Sequence, residues 1–108
     1  MPDLPHLFQA LADPTRFAIV ERLLAEGELP VARLKDRLTV SAPAVSRHLN
    51  VLSDAGLVTR RALGQQRLYS VRPEAMREIS DWTISHRVFW QSSLDRLQAA
   101  ILKGDPEE

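Results

Sequence analysis

The chain has 108 residues, 44% of them hydrophobic, which suits one domain around one modest core. It contains no cysteine, and this excludes disulfides, thiolate metal ligands and thiol-based redox sensing from this chain alone. Its 14 bases balance its 14 acids, so overall charge argues against a nucleic-acid binder, and any contact with a polyanion must come from local charge.

Leu4, Leu7, Phe8 and Leu11 recur at helical spacing and predict a short amphipathic helix from about Leu4 to Ala12. Asp13 is a good N-cap and Pro14 suits a first helical turn, so a second helix begins there, with Phe17, Val20, Leu23 and Leu24 as its apolar stripe and Gly27 as its stop. Pro30 can open a third, shorter helix with Val31, Leu34 and Leu38 facing inward, ending near Thr39. After a turn, Ser41 caps a fourth helix, about 42–55, with Pro43 in its first turn, a buried face of Val45, Leu49 and Leu52, and a stop at Ala55-Gly56. Two short helices joined by a tight turn are the helix-turn-helix layout.

Beyond Gly56, the segments LVTRRAL and RLYSV flank the polar tip Gly64-Gln65-Gln66 and read as a β-hairpin, a two-stranded wing over about 57–71. Pro73 then opens a long segment in which Met76, Ile79, Trp82, His86, Phe89, Trp90, Leu94, Leu97 and Ile101 keep helical spacing to about Leu102. Whether this last helix is continuous around 80–85 stays open. Residues 105–108 read as a tail. The expected fold is thus mainly α with a small β-hairpin: a winged helix-turn-helix domain over 1–104, with four helices, a wing and a long C-terminal helix. No apolar run approaches the roughly 18 residues of a membrane span, and the opening MPDLPHLFQA has no basic region, so a cytoplasmic location without a membrane partner is expected.

Charge is concentrated in the middle of the chain. Between Val31 and Arg72 there are eight bases (Arg33, Lys35, Arg37, Arg47, Arg60, Arg61, Arg67, Arg72) and two acids (Asp36, Asp54), a local balance of +6. On the fourth helix, Leu49 and Leu52 fall within about 40° of Val45, while Pro43, Arg47 and Asn50 lie opposite and Ser46 on the edge. A small, polar outward face with an arginine suits entry into the major groove, with Arg47 the candidate for bidentate pairing to guanine beside Ser46 and Asn50. Arg60, Arg61 and Arg67 of the wing are candidates for backbone contacts near the Gln65-Gln66 tip, and Ser41, Ala42 and Pro43 would sit at the helix end nearest the duplex. A hairpin arginine can instead protect an exposed strand edge, and because neighbouring Arg60 and Arg61 point to opposite faces of a strand, at most one of the two tracks the same groove unless a bulge intervenes.

LADPTRFAIVERLL (Leu11 to Leu24), SAPAVSRHLNVLSDAGLVTRR (Ser41 to Arg61) and the GQQRLYSV wing together resemble the ArsR/SmtB family of bacterial winged-helix repressors. The resemblance implies a homodimer, formed by the first and last helices, that presents two recognition helices to a roughly palindromic operator. Leu4, Leu7, Phe8, Trp82, His86, Phe89, Trp90, Leu94 and Leu97 would then be interface residues. The chain departs from the family's metal sensors: where an ELCVCDL-like motif is expected it has Glu28-Leu29-Pro30-Val31-Ala32-Arg33-Leu34, with Pro30 and Ala32 at the cysteine positions. For the family's other site, on the last helix, it offers only Asp81, His86 and Asp95, a poor zinc set.

These residues lead to a sequence-specific repressor of double-stranded DNA, not an enzyme, with no cofactor, no metal in the protein and an unknown small-molecule effector. Two rivals remain: a metal-responsive repressor using histidine and carboxylate ligands, including an intersubunit His6–His86 site, and a protein-interaction module that has lost DNA binding. His48 lies at the border of the buried face, suited to a structural or phosphate-side hydrogen bond. Trp82, Phe89 and Trp90 suit an interface core better than a ligand pocket.

Overall fold

The structure, a computed structural model, describes residues 3–104; the tail expected at 105–108 lies outside the described residues. The elements run α1 (Leu4–Leu11), α2 (Pro14–Glu26), β1 (Leu29–Pro30), α3 (Val31–Lys35), α4 (Ala42–Asp54), β2 (Val58–Leu63), β3 (Gln66–Val71), α5 (Pro73–Ser85) and α6 (Arg87–Leu102). Residues up to Glu78 form one compact unit and those from Ile79 onward a second. Among the described residues, no helix is long and apolar enough to cross a membrane.

In the first unit the helix boundaries follow local chemistry. The Asp13 carboxylate accepts the Arg16 backbone N–H at 3.0 Å and closes the start of α2, and the Ser41 hydroxyl accepts that of Ala44 at 3.3 Å and closes the start of α4. That bond, ahead of any neighbouring charge, holds the Asp13 carboxyl below its ordinary range. The α2 cap is therefore present above the usual carboxylate pKa and is lost as pH falls through the lowered one. Gly27 (φ 84°) and Gly56 (φ 85°) turn the chain out of α2 and α4 through a region that disfavours a side chain.

The core joins Leu7 of α1, Ile19, Val20 and Leu23 of α2, Leu34 of α3 and Val45, Leu49 and Leu52 of α4 to Leu57 and Tyr69. Two expectations change here. Phe17 and Leu24 are half exposed, and Ile19 takes their place in the inward face of α2, the face from which the part-buried Arg16 also reaches the Ala10 carbonyl. Leu7, expected at a subunit interface, is fully buried within its own chain.

The wing carries a third strand. The sheet order is β1-β3-β2, all antiparallel, with Leu29 opposite Tyr69 and Pro30 opposite Leu68. Two residues leave no periodic signal, and Pro30, which can donate nothing to a ladder, looks from sequence like a helix opener. It sits instead at the N-cap of a five-residue α3 in extended conformation (φ −78°, ψ 160°), and that helix stops at Lys35 rather than near Thr39.

The long C-terminal segment, whose continuity around 80–85 the sequence leaves open, is two helices, broken at His86 (φ −103°, ψ 4°). The cause is competition for carbonyls. The Trp82 carbonyl, which His86 N–H would take in a continuous helix, accepts instead from the Ser85 hydroxyl at 2.9 Å and lies 2.9 Å from His86 Nδ1. His86 N–H turns back to Thr83 O at 3.3 Å, while the Thr83 hydroxyl donates to Ile79 O. In this second unit no residue of α6 is buried: Trp90, Leu94, Leu97 and Ile101 are all more than half exposed.

Candidate nucleic-acid interface

The hydroxyl, arginine and amide side chains expected to read bases come from one face of α4. Val45, Leu49 and Leu52 are fully buried, which turns Ala42, Pro43, Ser46, Arg47 and Asn50 to solvent. Ser41 is exposed at the start of this helix and its hydroxyl caps it. Replacing it with alanine is expected to remove about 1 kcal/mol of stability, read as a melting temperature lower by about 4–8 °C.

The wing register sorts its arginines. Arg60 lies opposite Tyr69 and Ala62 opposite Arg67, so Arg60, Ala62, Arg67 and Tyr69 share one face of the hairpin, and Arg61 lies on the other with Leu68. Arg67 and Tyr69, with Gln65 and Gln66, meet Ser46 of α4 and Pro30, Val31 and Ala32 around an open cleft of about 510 Å³. Helix and wing thus present donors and acceptors to one space. Arg61 is engaged elsewhere: its guanidinium forks onto Glu28, with Nε and a terminal nitrogen donating at 2.8 and 2.9 Å. These hydrogen bonds hold the Glu28 carboxyl below its ordinary range and raise Arg61, so the pair is charged at neutral pH.

The local excess of charge is therefore smaller in space than in sequence. Acids from the α2–β1 region fold back onto the basic segment, Glu28 onto Arg61 and Glu26 to within 3.9 Å of Arg33 and 3.7 Å of Arg37. Among the described residues, Arg47, Arg60 and Arg67 have no carboxylate within ion-pair distance. Those three concentrate the positive field where α4 and the wing meet solvent.

His48 stands at the border of the buried face, as its spacing suggests, and its Nδ1 lies 3.3 Å from the guanidinium of Arg16 and 3.8 Å from the Asp13 carboxylate. No local pattern in the sequence singles out Arg16; its one signal is an arginine on the inward side of a core helix. Leu4 is half-buried and Phe8 lies at the surface of α1. In the second unit Trp82, His86, Phe89, Trp90, Leu94 and Leu97 are all exposed, with the Trp82 and His86 rings 4.9 Å apart and Phe89 edge-on to Trp90. Among the described residues, no three histidine or acidic side chains come together as a metal site would need.

Residues 11–61 match the profile of a helix-turn-helix domain. The chain is 54% identical over 69 residues to the HTH-type transcriptional regulator Rv2034 of Mycobacterium tuberculosis, covering 64% of each protein, less than two thirds of that regulator's length. It is 43% identical over 96 residues to the arsenical resistance operon repressor of Escherichia coli, covering 88% of this chain and 79% of that one. A solved ArsR family transcriptional regulator superposes with a TM-score of 0.73 at 30% identity, over 82% of this chain and 96% of the other. These relatives are transcriptional regulators, not enzymes.

Proposed function

We propose, because this chain belongs to the ArsR family of winged helix-turn-helix transcriptional regulators, that it is a homodimeric repressor reading a palindromic DNA operator. The observation that carries the reading is the exposed Ser46, Arg47 and Asn50 face of α4, set beside the Gln65-Gln66-Arg67 tip across one cleft. α4 enters the major groove and reads base edges, and the wing lies along the backbone or minor groove. A second copy covers the apolar stripe of α6, and two-fold symmetry sets the two half-sites about 34 Å, or a multiple of it, apart. With no cysteine in the chain, its regulation does not use cysteine-based metal sensing.

Gel-shift titration against the promoter upstream of its own operon tests this. Sequence-selective binding that weakens steeply with salt is the expected result, and its absence sinks the reading. The wing makes a finer prediction. Arg67→Ala reduces affinity for operator and random DNA alike and lowers the slope of log K against log salt by about 1, as loss of one phosphate contact does. Arg61→Ala leaves that slope unchanged, since its guanidinium is held by Glu28 on the far face of the hairpin. Equal effects of the two substitutions would contradict this assignment.

A further inference from the structure

Arg16 makes three connections at once. Its backbone N–H goes to the Asp13 carboxylate at 3.0 Å, its Nε donates to the Ala10 carbonyl at 2.7 Å, and a terminal nitrogen lies 3.3 Å from His48 Nδ1. A guanidinium has donors only, so Nδ1 is the acceptor in this hydrogen bond. One side chain thereby ties the corner between α1 and α2 to the middle of α4. Around it stand Asp13 at 3.8 Å from Nδ1, and His6, Gln9 and Asp54, which line the recess beside Arg16.

We infer that Arg16 and His48 are positioning residues for DNA reading: their hydrogen bond fixes the rotation of α4 about its own axis and so aims Arg47. This inference rests on the DNA-binding reading above. The buried side of α4 is aliphatic, Val45, Leu49 and Leu52. Contacts of that kind choose which face of the helix turns inward but are non-directional, so they do not by themselves fix its rotation to the precision that base reading needs. A reading constellation must be held to within about 0.5 Å and 10–20°. Among the described residues, the Arg16–His48 bond is the one side-chain hydrogen bond joining α4 to another helix. Arg47 is the next residue along the backbone, so the direction fixed at His48 is inherited by the guanidinium that faces the groove.

The test uses the full-length dimer, with operator and random duplexes titrated over a salt series and thermal unfolding followed in parallel. His48→Leu is expected to lower operator affinity about three- to tenfold, the worth of one net hydrogen bond, with random-DNA affinity and salt slope unchanged. His48→Gln, whose amide oxygen can accept from Arg16, restores most of the loss. Arg16→Lys keeps the charge but cannot serve Ala10 and His48 with one fork; it is expected to reproduce the loss, and combining it with His48→Leu to add little more. Equal weakening on both duplexes with a shallower slope would make His48 a phosphate contact. Lower stability with intact selectivity would make the pair merely structural. Either result overturns the inference. A wild-type protein that does not prefer its operator overturns the DNA-binding reading itself, before any variant is compared.

Discussion

Leu94→Asp is expected to turn the proposed homodimer into a monomer and to cut operator affinity by about a hundredfold or more. Trp90, Leu94, Leu97 and Ile101 follow one another at i, i+4, i+7 and i+11 on α6, and their exposures of 55%, 60%, 58% and 67% leave the stripe uncovered within the chain. Full burial of one such side chain is worth about 1.5–3 kcal/mol. A 16-residue helix with no buried residue has no tertiary packing of its own to hold it, and isolated helices of about that length are marginal in water. Leu94 lies in the middle of the stripe, where an aspartate must be desolvated with no partner, at a cost of several kcal/mol. The effect on DNA follows from linkage of two half-sites, because joining two binding modules raises affinity by roughly 10²–10⁴ without any new contact. Sedimentation velocity with gel shifts on full and half operators measures both parts. A variant that remains dimeric at the wild-type concentration would place the interface elsewhere.

What could be read in the sequence was local or periodic. Asp13, Ser41 and Gly56 announce themselves because a cap or a stop depends on a residue and its near neighbours. The outward face of α4 follows from the 3.6 period alone, and burial of Val45, Leu49 and Leu52 matches it. What escaped was set by tertiary contact. Arg16 meets His48 across 32 residues and Arg61 meets Glu28 across 33, and no local pattern couples such positions. The first pair ties the inward face of α2 to α4; the second occupies the Arg61 guanidinium with a carboxylate on the other face of the hairpin from Arg60 and Arg67. The break at His86 could be raised as a question at 80–85 but not placed, for another reason. The apolar period runs straight through it, while Thr83, Ser85 and His86 divert the carbonyls of α5 with their side chains. Hydrophobic period reports which face is buried and is blind to how the backbone is satisfied.

Arg47→Ala is expected to cost the operator complex about 1–3 kcal/mol, roughly 5- to 150-fold in affinity, and to abolish preference at one base pair of each half-site. Arg47 is the one arginine on α4, it is exposed on the face opposite the core, and no carboxylate competes for it among the described residues. A fork of two parallel N–H donors matches O6 and N7 of guanine, so both the affinity and the discrimination come from geometry. Arg47→Lys separates geometry from charge. Lysine keeps the positive charge and therefore the salt slope, but as a point charge it cannot make the bidentate pair. The lysine variant is thus expected to bind random DNA as the wild type does and still to lose preference at the same base pair, measured by titrating half-sites that differ only there. If lysine restores full operator selectivity, Arg47 is holding a phosphate, and base reading passes to Ser46 and Asn50 beside it.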